Sequence, residues 1–189
     1  MNGYLIRESS RGIDRITTQD RLLQDRKIIF TEEVTPVSAD ELISCLWALE
    51  LEDSKAPITL CLNSPGGEVI SGLAIYDSIE ALSCPVNTVC IGTAASMASI
   101  LFLAGEERSM YRHTRIMIHD PLLSGLSGSK KALELEKEAE RLMEMRQTIA
   151  GIIAERSGNP IKKVLDMTRD DCYLSAHDAL SLGIATKIL

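Results

Sequence analysis

A chain of 189 residues with 45% hydrophobic content can bury a full core as one domain. Its 20 Lys and Arg against 27 Asp and Glu leave a net charge of −7, and only 4% of its residues are aromatic. Neither a nucleic-acid surface nor a base-stacking platform is expected from that balance. The five cysteines (Cys45, Cys61, Cys84, Cys90, Cys172) are odd in number, scattered and free of Cys-x-x-Cys spacing. They read as reduced thiols of a cytoplasmic protein, not as a disulfide frame or a zinc site. The first ten residues are too polar for a signal peptide. The uncharged run at 81–105 could span a bilayer by length. Pro85, Asn87, Gly92, Thr93 and two serines divide it into strand, corner and helix instead, so no membrane span is expected.

In chain order, residues 1–19 are polar, charged and without clear periodicity, and read as an arm or loop ahead of a domain at 20–189. After a charged segment at 20–26, residues 27–30 form a short strand. Ser38-Ala39-Asp40-Glu41 has the capping-box pattern and opens a helix in which Leu42, Cys45, Leu46 and Leu49 recur at helical spacing. Residues 58–62 are the next strand. Asn63-Ser64-Pro65-Gly66-Gly67 then leads into a helix marked by Leu73, Ile75, Tyr76, Ile79 and Leu82, and the β-branched run at 86–91 completes a βαβ unit. A Pro-Gly-Gly alone is ordinarily a tight turn, yet its glycines can also present backbone N–H groups to a ligand. No Gly-Lys-Ser/Thr follows, which disfavours a phosphate loop.

Gly92-Thr93-Ala94-Ala95-Ser96 is a strand-to-helix corner, and 96–104 is a small apolar helix stopped by Gly105. Serine at a helix start is ordinarily a cap. The same position also places a hydroxyl where unpaired N–H groups and the positive dipole end favour developing negative charge. Residues 115–119 form an apolar strand ending in His119-Asp120-Pro121, followed by a flexible Gly/Ser/Leu-rich loop at 122–129. The charged stretch at 130–156 carries Leu135, Ala139, Leu142, Met145, Ile149, Ile152 and Ile153 along one side. It exceeds the usual globular helix, which predicts that part of it projects to meet a partner chain. Ser157-Gly158-Asn159-Pro160 stops it and starts a short helix through Val164 and Leu165. Ser175-Ala176-His177-Asp178 caps a helix ending at Gly183, and 185–189 closes the chain as a strand. No repeat or linker divides the sequence, so it is one α/β domain.

The chain has three histidines. His113 lies among Arg112, Thr114 and Arg115 and reads as a surface residue, and His177 in a capped helix start reads as solvent-facing. His119 ends an apolar strand at an edge where strand ends converge, the usual place for sites in α/β sheets. No metal site is expected, because His119 and Asp120 point oppositely on a strand and no His-Glu-x-x-His occurs. Nor is any cofactor implied. A nucleophilic site could combine Ser96, His119 as base and either Asp170 or Asp171 as the acid that orients the imidazole. The oxyanion donors would then be the backbone N–H groups of Gly67 and of Met97, the residue after the nucleophile.

Four segments resemble, in order and at nearly the same spacing, the proteolytic subunit of the Clp (caseinolytic) protease family. They are Ser10-Arg11-Gly12 with 21–30, Asn63-Ser64-Pro65-Gly66-Gly67, Ala94-Ala95-Ser96-Met97, and Arg115-Ile116-Met117-Ile118-His119. Asp171-Cys172-Tyr173-Leu174-Ser175-Ala176 matches more loosely. The resemblance implies Ser96 as nucleophile, His119 as general base, Asp171 as the acid, and Gly67 and Met97 as oxyanion donors. It implies a spiral of βαβ units related to the crotonase fold, with 1–19 as an axial arm and 130–156 as a protruding handle helix. It further implies stacked seven-membered rings enclosing a chamber, homomeric or mixed with a paralogous subunit. An AAA+ unfoldase would feed unfolded polypeptide into that chamber.

Several positions depart from the family pattern. Asp120 stands where members usually carry Gln, the loop before Arg115 is about two residues shorter than usual, and Arg169-Asp170 reverses an acid–Arg pair linked to ring contact. Thr59, Cys61 and Ser109 stand where aromatics usually line the unfoldase docking pocket, so weaker apolar anchoring is expected. The function expected is an ATP-dependent serine endopeptidase subunit. A conditionally active or non-catalytic paralogue is the alternative, and a crotonase-like acyl-CoA enzyme a distant third.

Overall fold

The computed structural model describes residues 4–9, 12–122 and 131–189. Its first elements lie within 1–19, the stretch read from the sequence as an arm or loop. Strands β1 (Tyr4–Ser9) and β2 (Gly12–Thr17) form an antiparallel hairpin, with the Arg15 guanidinium 5.2 Å from the centre of the Tyr4 ring. Leu5, Ile6 and Ile13 are exposed, and no apolar alternation marks the strands in the sequence. Helix α1 (Thr18–Gln24) replaces the first part of the charged segment expected at 20–26. Thr17 caps it reciprocally with Asp20, whose N–H donates to Thr17 Oγ1 at 3.0 Å while Asp20 Oδ2 accepts from the Thr17 N–H at 2.9 Å.

Strand β3 (Lys27–Phe30) follows, then α2 (Pro36–Glu52), which starts earlier than the expected Ser38 box. Thr35 is the cap and Ser38 its reciprocal partner: the Thr35 N–H donates to Ser38 Oγ at 2.9 Å and the Ser38 N–H to Thr35 Oγ1 at 3.2 Å. Pro36 suits the first helical position, where its missing N–H costs nothing. Next come β4 (Ile58–Ser64), α3 (Val69–Ala81), β5 (Val86–Ala95), α4 (Met97–Leu103), β6 (Arg108–Met110) and β7 (Arg115–Ile118). The chain ends with α5 (Ala132–Ser157), α6 (Ile161–Met167), β8 (Cys172–Ser175), α7 (Ala176–Ser181) and β9 (Lys187–Ile188). The long helix thus runs two residues later at its start than the expected 130–156 and one later at its end. Residues 123–129 of the expected loop, Lys130, and Ser10 and Arg11 of the family match lie outside the described residues.

The sheet runs β3-β4-β5-β6-β9, all parallel. β5 changes neighbour along its length. Thr88–Cys90 pair with β6, whereas Thr93–Ala95 pair with β7, which pairs antiparallel with β8. The change falls at a register shift against β4 between Leu62 and Ser64. There the Asn63 amide oxygen accepts from the Thr93 N–H at 3.0 Å, and a Cβ at Gly92 would lie 2.2 Å from that oxygen and displace the Asn63 side chain. The far half of β5 is thereby aimed away from β6, carrying Ser96 toward β7.

Every residue of α4 is buried, and α3, α5 and β5 pack around it. The C-terminal half of α5 joins that core through Ile149, Ala150 and Ile153, whereas Leu133, Leu135 and Met143 stand exposed. Buried Arg108 ties the C-terminal ends of α4, α5 and α7 together. It donates to the carbonyls of Ile184 (2.8 Å), Gly105 (3.2 Å), Arg156 (3.1 Å) and Gly183 (3.1 Å). No helix among the described residues is long and apolar enough to cross a membrane.

Candidate active site

Ser96 occupies the elbow between β5 and α4 with φ 52° and ψ −125°, a conformation that non-glycine residues avoid and that costs about 1–3 kcal/mol. Its surroundings hold it there. The Ser96 N–H donates to the Met117 carbonyl at 2.8 Å, and its carbonyl accepts from the Ser99 N–H at 2.9 Å and the Ser99 hydroxyl at 2.6 Å. The side chain makes no capping hydrogen bond to α4, so the ordinary reading of a helix-start serine does not apply.

Because Ser96 is bonded to Met117, its hydroxyl is fixed relative to His119, two residues further along. His119 Nε2 lies 2.8 Å from Ser96 Oγ. The β7–β8 ladder ends with Ile118 opposite Cys172, so His119 and Asp171 face each other one step beyond it. His119 Nδ1 is 3.4 Å from Asp171 Oδ1. Of the two aspartates left open by the sequence, Asp171 is thus the one that reaches the imidazole. The His119 side chain is 14% exposed and the Asp171 side chain 60%, so backbone placement, not packing, positions the acid. His113 and His177 are exposed and elsewhere, as the sequence predicts.

The Asn63–Gly67 turn lies against the elbow. A Cβ on Gly66 would be 2.8 Å from the Met97 nitrogen, 2.8 Å from Ser96 Cβ and 2.5 Å from the Ala95 carbonyl oxygen. Met97 begins α4 and its N–H has no intrahelical acceptor. Gly67 (φ 149°) is held from behind. The Val34 N–H donates to the Gly66 carbonyl at 2.7 Å, and the Glu68 N–H to the Val34 carbonyl at 2.8 Å. The Gly67 and Met97 peptides therefore belong to two segments in direct contact.

The sequence reading missed the supports of this turn. The Ser64 hydroxyl donates to the Glu32 carbonyl at 2.5 Å and accepts from the Gly66 N–H at 3.1 Å, while Asn63 bridges to β5. Their signal was the full Asn-Ser-Pro-Gly-Gly string, whose polar pair reads as turn residues when only the glycines are weighed. An apolar cleft opens beside Ser96 and His119, lined by Val69, Ile100, Ile118, Pro121, Ile149 and Ile153. The neighbouring Cys172 thiol is pushed up by burial and then by the Asp178 charge, so it stays protonated and offers no competing thiolate.

Thr59 and Cys61 are half-buried on one face of β4. The pairing of Val89 with both Cys61 and Ser109 extends that row across the sheet. Ser109 is buried and its hydroxyl donates to Glu107 at 3.0 Å, while Lys187 lies 3.5 Å from the same carboxylate. Thr59 and Ser109 thus make two positions of this row polar.

The Clp protease family model matches residues 10–189. ATP-dependent Clp protease proteolytic subunit 2 of Chlamydia abortus is 37% identical over 188 residues, covering 98% of this chain and 90% of the relative. Proteolytic subunit 1 of Chlamydia felis is 36% identical over 188 residues, covering 98% of this chain and 91% of the relative. Proteolytic subunit 2 of Chlamydia trachomatis serovar D is 35% identical over the same length and shares.

Proposed function

The chain belongs to the Clp protease family, and from that premise we propose that Ser96, His119 and Asp171 carry serine-type hydrolysis of peptide bonds in unfolded polypeptide. The observation that carries this reading is the 2.8 Å contact between Ser96 Oγ and His119 Nε2. His119 Nε2 takes the hydroxyl proton as Ser96 Oγ bonds to the scissile carbonyl carbon. The oxygen that gains the charge faces the N–H groups of Gly67 and Met97. The imidazolium then gives its proton to the amide nitrogen as the C–N bond breaks, leaving an ester on Ser96. Water then attacks the ester carbonyl carbon as His119 takes its proton, and the imidazolium returns that proton to Ser96 Oγ as the C–Oγ bond breaks and the carboxylic acid leaves. Asp171 beside Nδ1 fixes the tautomer and orientation of the imidazole.

The relatives are named ATP-dependent proteolytic subunits, and those names favour the catalytic reading over a conditionally active or non-catalytic paralogue. This chain has no Gly-Lys-Ser/Thr phosphate loop, so a AAA+ unfoldase supplies the ATP hydrolysis. It docks on the row containing Thr59, Cys61 and Ser109 with fewer apolar anchors than usual. The exposed Leu133, Leu135 and Met143 of α5 suit burial between stacked seven-membered rings. The free cysteines suit the cytoplasm. Ser96→Ala is expected to lower hydrolysis of a fluorogenic peptide by about 10⁴-fold or more, with the sedimentation profile unchanged. Wild-type activity in that variant contradicts the assignment.

A further inference from the structure

The residue after His119 is bound more firmly than its place at a loop start requires. The Asp120 N–H donates to the Thr168 carbonyl at 2.7 Å, and Asp120 Oδ1 accepts from the Thr168 hydroxyl at 2.6 Å. Its other oxygen, Oδ2, accepts from Arg146 Nε of α5 at 2.5 Å, and Arg146 Nη2 reaches the Leu165 carbonyl of α6 at 3.1 Å. Thr168 is 2% exposed and caps α6, its N–H donating to Val164 O at 2.9 Å. It lies three residues before Asp171. The gap between His119 and Asp171 is therefore closed on both flanks, by the β7–β8 ladder on one side and by the Asp120–Thr168 clasp on the other.

We propose that Asp120 is a positioning residue for the Ser96–His119–Asp171 site, setting the His119–Asp171 separation through Thr168 and taking its own orientation from Arg146. The inference rests on the reading of Ser96 as nucleophile. The contact it controls is exposed and already 3.4 Å long, so the acid has little else to hold it against the imidazole. A carboxylate suits the task because it accepts from Thr168 and Arg146 at once through separate oxygens. Arg146 offsets its charge.

The test compares wild type, Asp120→Ala, Thr168→Val and the double variant in two assays of the assembled protein: peptide hydrolysis and the labelling rate of Ser96 by a fluorophosphonate probe. Displacements of about 1 Å at a reacting group cost up to about 100-fold. Asp120→Ala is expected to lower kcat and the labelling rate about 10- to 100-fold, with KM within about twofold. Thr168→Val, nearly isosteric, is expected to show a smaller loss of the same kind. The double variant is expected to be no slower than Asp120→Ala alone, because both act through one clasp. Arg146→Lys, which keeps the charge, is expected to retain most of the activity that Arg146→Met loses. Labelling of Asp120→Ala at the wild-type rate, a loss confined to KM, or multiplicative losses in the double variant would overturn the inference while leaving Ser96 in place. If Asp120→Ala does not fold, Thr168→Val decides: a lowered kcat at unchanged melting temperature supports the clasp, and unchanged kcat overturns it. Wild-type protein unlabelled at Ser96 overturns the nucleophile reading and this inference with it.

Discussion

Replacing Gly66 by alanine tests whether the glycine turn sets the geometry around Ser96. The added Cβ would stand 2.5 Å from the Ala95 carbonyl oxygen and 2.8 Å from the Met97 nitrogen, about 0.9 and 0.6 Å inside the 3.4 Å of ordinary contact. Both atoms are backbone of the elbow and cannot rotate aside, and Val34 holds the turn from behind. The turn must therefore retreat by close to 1 Å, and the φ of 91° at Gly66 adds about 1–3 kcal/mol of strain for any side chain. That retreat draws Gly67 away from Met97, and a misplacement of this size costs about 100-fold in rate. Fluorogenic-peptide kinetics should show kcat down about 100-fold. Thermal unfolding at fixed protein concentration should show a melting point lower by about 4–8 °C for about 2 kcal/mol. Full kcat with lowered stability would refute the link between turn and catalysis. If both stay unchanged, the turn does not lie against the elbow.

Two further predictions concern the frame. Arg108→Met would strand the carbonyl oxygens of Ile184, Arg156 and Gly183, while Gly105 keeps its hydrogen bond from Arg156 Nη2 at 2.8 Å, and a stability loss of about 3–5 kcal/mol is expected in the denaturant midpoint. Arg108→Lys should recover little of it, because one ammonium cannot span those positions. At the start of α7, hydrogen bonds from the Ser175 hydroxyl and then the Ser175 N–H hold the Asp178 carboxyl below its ordinary value of 3.8. The sign is that of a depressed acid. Its stabilising effect is full above the unfolded value and is lost as pH falls through the folded one. A carboxyl NMR titration should give a midpoint below 3.8 that rises in Ser175→Ala, and equal midpoints would contradict the cap.

The βαβ centre was legible because its strands bury β-branched and apolar residues at alternate positions, in runs bounded by Pro85, by Gly92 and by the Asn63–Gly67 turn. Ser96 and His119 stood at the ends of such runs and could be picked out from them. The hairpin of β1 and β2 was not legible, since its apolar Leu5, Ile6 and Ile13 stand exposed and its sequence shows no alternation. β6 and β8 were hidden for another reason. They are only three and four residues long, and their partners on β5 and β7 are remote in sequence, so nothing local announces them. In the sequence the family resemblance alone favours Asp171 over Asp170, because the β7–β8 register that sets Asp171 opposite His119 is not local in sequence. The cap of α2 was misplaced because Ser38 and Glu41 satisfy the same spacing rule as Thr35 and Ser38, and only the buried Ser38 hydroxyl, donating to the Glu33 carbonyl at 2.8 Å, separates them.

The measurement that bears most directly on the account is covalent labelling of the purified protein by a fluorophosphonate probe, with the site mapped by peptide mass. One adduct is expected, on Ser96, lost in His119→Ala, because the hydroxyl reacts only when Nε2 at 2.8 Å can take its proton. Labelling at another serine, or labelling of Ser96 that survives His119→Ala undiminished, would contradict it.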